Sequence, residues 1–185
     1  MERVFETGIK GLWYFERQQV DDERGFFAEI AHIYKIEKLI GQTFVIKQLN
    51  YSRSLDRVVR GMHAEDWQKL ITVTRGLAFC ALADIRPASK DFGKVVSFKL
   101  GEGGLAGSLF VEEGIANSFC VLDGPVDYIY CVDRLYKERD PKGDVAISLF
   151  DPDLKIDWPL KQEEMILSER DKNSINLRQR FPDKF

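Results

Sequence analysis

Histidine and cysteine are scarce in this chain of 185 residues, and no long apolar run is present. The chain has two histidines, His32 and His63. These are too few ligands for a zinc finger or for a catalytic zinc site built on several histidines. The three cysteines lie far apart without a CxxC pair, which favours free thiols in a reducing cytoplasm over a disulfide framework. No segment approaches the roughly 18 apolar residues of a membrane span, so we expect neither a membrane anchor nor a leader.

An excess of charge of one sign is also absent, since 27 Lys and Arg residues stand against 30 Asp and Glu for a net charge of −3. This balance provides no general attraction to nucleic acid or to an anionic membrane, and we expect neither as a partner. Repeats, low-complexity segments and Pro/Gly/Ser-rich linkers are missing as well. With 44% hydrophobic residues, the chain is predicted to form one domain over residues 1–185.

What the chain does contain is a series of short apolar segments separated by turn residues, which is typical of a mainly-β protein. The clearest predicted strands are 70–74, 79–85, 94–100 and 127–132. Residues 75–76 and 123–125 have the composition of turns and are predicted to be turns that lead into two of these strands. In the third strand, alternation places Val96, Phe98 and Leu100 on one face.

Helices are few in the predicted structure. Residues 33–40 place their apolar side chains on one face, and Gly41 predicts the end of that helix. A second short helix is predicted around 173–180. Strands of similar length with few helices favour an antiparallel jelly-roll sandwich or barrel, and an α+β domain with a smaller sheet is the alternative.

The densest polar cluster is the RGMH sequence at 60–63, followed by Lys69. We interpret it as a strand end and turn beside the strand that starts at Leu70. Cations beside a histidine form a positive pocket that suits a phosphate-bearing substrate or a developing oxyanion, and an imidazole takes up protons near neutral pH. A hydrogen-bonded structural role remains the commoner interpretation of a single histidine, and we assign that role to His32.

Three other segments are conspicuous, and for each a structural interpretation is the simpler one. Tyr128 and Tyr130 share one face of a strand, either as core aromatics or with one phenol as a proton donor. The charged run 167–172 is interpreted as a solvated turn. In segment 22–29, adjacent phenylalanines point to opposite strand faces. That segment either packs on its own domain or pairs with a second subunit, which leaves Phe27 free to stack on a ligand base.

A series of segments along nearly the whole chain resembles the dTDP-4-dehydrorhamnose 3,5-epimerases and related nucleotide-sugar epimerases of the cupin fold. The segments are DERGFFAE (22–29), QLNYSRS (48–54), VVRGMH (58–63), QKL (68–70), ADIRPASKDFG (83–93), EGIANSF (113–119), the tyrosine strand, DPDLKIDWP (151–159) and LSERD (167–171). Each segment alone is weakly specific, but their common order and spacing identify the chain as a member of this family.

The resemblance implies a cofactor-independent epimerase that inverts C3, C5 or both of a nucleotide-linked 4-keto-6-deoxy sugar of the dTDP type, in deoxysugar biosynthesis. It implies that His63 is the general base, that Tyr130 is the proton donor and that Asp171 holds the tautomer of the base. Lys69 then faces the 4-keto oxygen. These roles suit the chemistry, because a C–H beside a ketone ionises only when a base, an enolate-stabilising cation and an acid on the opposite face are prearranged.

The resemblance also implies the substrate contacts and the assembly. The implied substrate contacts are Gln48, Asn50, Arg60, Asn117 and Arg170 of one chain, and Arg24, Phe27 and Glu29 of the neighbouring subunit. The protein is therefore expected to be a homodimer in which the strands within about residues 1–55 are shared with the partner. No metal is expected.

The chain departs from the family pattern at three places. The Ala-His-Gly-Phe motif reads Ala-Asn-Ser-Phe at 116–119, so the neutral amide of Asn117, which can donate a hydrogen bond, replaces an imidazole. Cys80 stands where the family has an acidic residue. After His63 the family commonly has an aromatic residue and then a glutamine, whereas this chain has Ala-Glu-Asp-Trp at 64–67. These departures leave the sugar, the nucleotide and the number of inverted centres open.

Two alternatives to an epimerase remain at this point. A 3,4-ketoisomerase of the same fold would move the carbonyl along the ring and would not need His63 and Tyr130 on opposite faces of the sugar. A non-catalytic sugar-nucleotide-binding cupin would need neither a base nor an acid. Retention of both residues, together with Lys69 and Asp171, favours an enzyme.

Overall fold

The computed structural model describes residues 4–185, which form eleven strands and a few short helices. The strands are β1 (Val4–Glu6), β2 (Leu12–Glu16), β3 (Gln19–Asp22), β4 (Gly25–Ala28), β5 (Gln48–Ser54), β6 (Val59–Ala64), β7 (Lys69–Asp84), β8 (Val95–Gly101), β9 (Gly107–Val111), β10 (Ile115–Val132) and β11 (Val145–Ala146). The α-helices are α1 (Ile33–Ile40), α2 (Glu169–Lys172) and α3 (Leu177–Arg180), with 3-10 turns at Tyr136–Glu138, Gln162–Glu164 and Pro182–Lys184. The prediction of a mainly-β protein is confirmed.

Two long antiparallel strands, β7 and β10, form the centre of a nine-stranded sheet. Each of them changes its outer partner midway. Strand β7 pairs with β9 in its first part and with β8 in its second part, whereas β10 pairs first with β6 and then with β5. The two halves of each strand therefore belong to the two opposing walls of a jelly roll.

The predicted turns at 75–76 and 123–125 were wrong, because both segments lie inside continuous strands. The register of β7 against β10 shifts between Val121 and Asp123 and again between Asp123 and Asp127, which is the pattern of bulges. Gly76 has a φ of 72°, and a Cβ there would lie 2.6 Å from the Asp123 carbonyl oxygen. A bulge and a turn require the same glycine-rich composition, so local sequence did not separate them.

The two largest clusters of buried side chains lie on opposite sides of the central strands. The first lies between the walls and includes Leu100, with Val96 and Phe98 packed against it, so the predicted inward face of β8 is confirmed. The second lies beneath the C-terminal segment and includes Met62 and Leu177. The C-terminal segment thus covers the outer side of β6 and brings α2 close to that strand.

The helix prediction over 33–40 is confirmed, and Gly41 ends α1 in the left-handed conformation with a φ of 72°. The predicted helix around 173–180 is only the single turn α3. The charged run 167–172 is not simply a solvated turn, because it contains α2 and the carboxylate of Asp171 is buried. None of the helices formed by residues 4–185 has the length and apolarity needed to cross a membrane.

Strands β3 and β4 form a two-stranded ribbon that is separate from the large sheet. All residues of β3 are exposed, and Phe26 and Phe27 of β4 are 62% and 74% exposed. This ribbon does not pack on its own domain through its phenylalanines, in contrast to the simpler of the two interpretations of segment 22–29.

Candidate active site

A cavity of about 490 Å³ opens inside the jelly roll, between the walls formed by β5, β6, β7 and β10. Six of the predicted site residues line it: Arg60, His63, Lys69, Asn117, Tyr130 and Asp171. They come from three strands and from the C-terminal segment, so the fold brings together residues that are far apart in sequence. The cavity is the candidate active site.

His63 lies within β6 and not at the predicted strand end and turn, and β6 pairs with β10 and β11 instead of with the strand that starts at Leu70. Gly61 allows the close approach of β6 to β10, because its φ is 124° and a Cβ would lie 2.4 Å from the Ser118 Cβ. Alternation along the strand buries Met62 completely and turns His63 into the cavity. The register places His63 directly opposite Asn117.

The imidazole of His63 is held by the carboxylate of Asp171, with 2.6 Å between Nε2 and Oδ1. The Asp171 side chain is 3% exposed, and its backbone amide donates to the Ser168 hydroxyl at 3.2 Å. Burial raises the pKa of Asp171, but the hydrogen bond and charge of His63, with further hydrogen bonds, outweigh burial and leave that pKa below its ordinary value. Asp171 is therefore ionised at neutral pH.

An ionised carboxylate only accepts hydrogen bonds, so His63 donates its Nε2–H to Asp171. The neutral ring then has an unprotonated Nδ1, and that atom has no side-chain or backbone partner within residues 4–185. An imidazole oriented in this way can take up a proton at Nδ1, which is the arrangement that a general base requires.

Tyr128 and Tyr130 share one face of β10, and both line the cavity. Tyr128 is buried and stacks on Phe119 with ring centroids 4.3 Å apart, so the core interpretation holds for this residue. Tyr130 is half-buried. Burial raises the pKa of its phenol, and the charge of Glu65 raises it further. Tyr130 therefore keeps its proton at neutral pH and can act as an acid.

Lys69 is the buried cation of the cavity, with its side chain 6% exposed. Its ammonium donates to Asn117 Oδ1 at 2.5 Å and forms an ion pair with the carboxylate of Glu65. The Asn117 amide in turn donates to the Tyr128 hydroxyl at 3.5 Å. Glu65 was not predicted as a site residue; its place four residues before Lys69 was a signal that the sequence contained.

Cys80 lies in the first core cluster and is 2% exposed. Burial raises the pKa of its thiol to about 12. At this position the chain therefore contributes a neutral packing group and not a charge.

The other predicted contacts lie outside the cavity of the single chain. Gln48 and Asn50 are joined by a 2.7 Å hydrogen bond, and Asn50 is paired with Tyr130 across β5 and β10, which places it at the rim. Arg170 is on the surface of α2, where it contacts Asp144 at 2.5 Å.

The predicted nucleotide contacts are all on or next to the ribbon. Arg24 forms an exposed ion pair with Asp22, and Phe27 is exposed. Glu29 lies 3.9 Å from Lys35. Within residues 4–185, none of these three predicted contacts lines the cavity of its own chain.

Comparison with known proteins gives consistent matches over nearly the whole chain. The model of the family described as dTDP-4-dehydrorhamnose 3,5-epimerase matches residues 6–179. A dTDP-4-dehydrorhamnose 3,5-epimerase of Shigella flexneri is 32% identical over 184 residues, which cover 97% of this chain and 96% of the relative.

Two solved structures are similar in three dimensions. A 4-keto-6-deoxy sugar epimerase of novobiocin biosynthesis from Streptomyces spheroides superposes with a TM-score of 0.89 at 29% identity, over 99% of this chain and 90% of the other. A dTDP-6-deoxy-D-glucose-3,5-epimerase of Legionella pneumophila, in complex with dTDP-4-keto-L-rhamnose, superposes with a TM-score of 0.87 at 32% identity. The match covers 96% of this chain and 94% of the other. These similarities confirm the cupin-type jelly-roll fold.

Proposed function

The chain belongs to the dTDP-4-dehydrorhamnose 3,5-epimerase family and is an epimerase, and from that premise we propose how its cavity works. The substrate is a dTDP-linked 4-keto-6-deoxy sugar of deoxysugar biosynthesis, and C3, C5 or both are inverted. The observation that supports this proposal best is that His63, Lys69 and Tyr130 line one cavity, with Asp171 behind the histidine.

The first step is proton removal from a carbon beside the ketone. His63 takes the proton at Nδ1, and the C–H electron pair moves into the ring to give an enolate whose negative charge is on the C4 oxygen. The Asp171 carboxylate stabilises the resulting imidazolium. The Lys69 ammonium has three N–H donors: Asn117 accepts a hydrogen bond from one, and the Glu65 carboxylate is an ion-pair partner. This leaves an N–H for the enolate oxygen, in a buried site where such a contact is strong.

The second step returns a proton to the opposite face of the sugar. Tyr130 donates its phenolic proton to the same carbon, the C4 ketone re-forms, and the configuration is inverted. The phenolate then regains a proton from solvent, and His63 releases its proton to solvent. The cycle balances with these residues and water, so we propose that no cofactor or metal takes part.

Substrate binding in this proposal uses both sides of the cavity mouth. Gln48, Asn50, Arg60, Asn117 and Arg170 contact the substrate from one chain. Arg24, Phe27 and Glu29 contact the nucleotide from the partner in a homodimer of single-domain chains. The exposure of the ribbon and its separation from its own cavity support this arrangement.

We also propose that the protein works in the cytoplasm. Its three cysteines are buried free thiols. A reducing compartment maintains thiols in that state.

The test is incubation with a dTDP-4-keto-6-deoxyhexose in D₂O, followed by NMR of the sugar. Deuterium is expected at C3, C5 or both, and the labelled position reports which centre the enzyme inverts. A product with its carbonyl at C3 would instead identify a ketoisomerase. Absence of both deuterium and product would contradict the proposed function.

A further inference from the structure

A buried ion pair lies in the wall of the cavity next to the proposed reacting groups. Glu65 follows β6 and Lys69 begins β7, and their side chains are 11% and 6% exposed. The Lys69 ammonium lies between the Glu65 carboxylate and the Asn117 amide oxygen. Because the Lys69 ammonium lies between these two partners, Glu65 restricts the position of the ammonium in the cavity.

We propose that Glu65 is a positioning residue for the epimerisation: it pins Lys69 against Asn117, and it places a buried carboxylate in the same cavity as the Tyr130 phenol. The inference rests on the proposed function, since it assigns Glu65 a part in that reaction. It goes beyond the base, acid and cation, because Glu65 acts through Lys69 and Tyr130 and not on the sugar.

The first half of this proposal follows from the cost of burying a charge. An ammonium that is withdrawn from water is stable only when it is paired and hydrogen-bonded. Asn117 supplies a neutral oxygen, so Glu65 is the group that supplies the opposite charge to Lys69. A cation held in place before the reaction stabilises an enolate without having to reorganise.

The second half starts from the placement of Glu65 and Tyr130, which line the same cavity, and follows from the charges around the Tyr130 phenol. Burial raises its pKa most, and Glu65 is the next largest cause in the same direction. Arg60 of β6 lowers this pKa, and Tyr136 of the neighbouring 3-10 turn raises it. The other titratable side chains that line the cavity are His63, Lys69, Tyr128 and Asp171. Removal of the Glu65 charge should therefore make Tyr130 more acidic.

The decisive variant is Glu65→Gln, which keeps the shape of the side chain and removes its charge. The matched control is Glu113→Gln, the same chemical change at an exposed carboxylate that does not line the cavity. The ionisation of Tyr130 is followed by NMR of ring-labelled tyrosine and assigned by comparison with Tyr130→Phe. We expect its midpoint to fall in Glu65→Gln and to stay unchanged in Glu113→Gln. Arg60→Gln should move the midpoint up, because it removes the opposite charge.

The kinetic readout uses the same proteins. In Glu65→Gln, kcat should fall by about 10- to 100-fold with a much smaller change in KM, as expected when a reacting group is misplaced. The alkaline limb of the kcat–pH profile should move to lower pH, because the proton donor is lost earlier. Glu65→Asp retains the charge at a shorter reach, so it should keep the Tyr130 midpoint near that of the wild type while kcat still falls.

An unchanged Tyr130 midpoint in Glu65→Gln, or a wild-type kcat with an unmoved alkaline limb, would overturn the inference. If Glu65→Gln fails to fold, Glu65→Asp decides through kcat: a fall in kcat with a near-wild-type Tyr130 midpoint supports the inference, and a wild-type kcat overturns it. If the wild-type protein has no epimerase activity, the proposed function fails, whereas the tyrosine titration still tests the charge of Glu65 independently.

Discussion

The candidate active-site cavity and the β3–β4 ribbon are built in opposite ways. The cavity is walled by long strands that also form the core, and its reacting side chains are held by contacts such as His63–Asp171 and Lys69–Asn117. The ribbon consists of two strands of four residues each, with Phe27 74% exposed. The proposed reacting groups are therefore organised within one chain, whereas the proposed nucleotide contacts are on a surface that the single chain leaves uncovered.

This comparison separates two kinds of variant. Changes of the proposed reacting groups in the cavity should lower the rate of the chemical step and affect substrate binding little. Changes on the ribbon should weaken substrate binding, or assembly, and leave the chemical step intact.

The largest effect is expected for the base of the cavity. His63→Ala should abolish deuterium incorporation from D₂O at every sugar position, because no enolate forms without the base. The measurement is NMR of recovered substrate after prolonged incubation. Exchange at the wild-type rate in this variant would show that the base is a different residue.

Tyr130→Phe should separate two reactions that His63→Ala removes together. Net inversion should fall by about 10²- to 10⁴-fold, the usual contribution of one general acid. Deuterium exchange should persist, because the proton can return to its original face by way of His63. Parallel loss of exchange and inversion would instead assign Tyr130 to enolate formation.

Asp171→Asn should lower kcat by about 10- to 100-fold, because the neutral amide no longer sets the tautomer of His63 or stabilises its charged form. The pKa of Asp171 lies below its ordinary 3.8. The carboxylate therefore stabilises the folded protein above that pH, and this contribution is lost as the pH falls through the lowered pKa.

Urea unfolding of wild type and Asp171→Asn at two pH values measures this contribution. The wild type should be the more stable protein at neutral pH, and the difference should shrink below pH 3.8. A difference that stayed constant with pH would mean that packing, and not charge, accounts for the stabilising effect of Asp171.

A moderate effect is expected on the ribbon. Phe27→Ala should raise KM by about tenfold and leave kcat nearly unchanged, as removal of one base-stacking contact would. Tyr34→Ala is the matched control, because Tyr34 on α1 is 70% exposed and lies outside the ribbon.

In ultracentrifugation the wild type should have about twice the chain mass of 21.4 kDa. A monomer at micromolar concentration would remove the partner from the proposed site.

The smallest effect, none at all, is expected from removal of metal ions. Exhaustive dialysis against a chelator should leave both kcat and KM unchanged, since the proposed reaction uses only protein side chains. Activity that disappeared and returned with a divalent cation would assign the enolate stabilisation to a metal and not to Lys69.

Local sequence patterns predicted the elements whose secondary structure follows from the periodicity of their apolar residues. Helix α1 and strand β8 follow from spacings of 3.6 and 2 residues, and both were predicted. The bulges at 75–76 and 123–125 were predicted as turns, because glycine and proline serve both structures.

Residues of the cavity were predicted only where the residue type matched the pattern of the family. Asp171 stands in a charged run that reads as solvated, and a contact with His63 from another part of the chain buries it. Glu65 lies only four residues before Lys69, but that spacing is expected to pair two side chains on a helix, and here it spans the connection between β6 and β7. The contact between His63 and Asp171 joins distant segments and has no local signature in a single sequence.

The separation of 108 positions between His63 and Asp171 has a consequence for biosynthesis of the protein. During translation β6 leaves the ribosome long before α2, so a nascent chain carries an imidazole without its carboxylate. Contacts at such separation form late in folding, because a large loop has to close first. The proposed base therefore gains its carboxylate partner only when α2 has packed against β6.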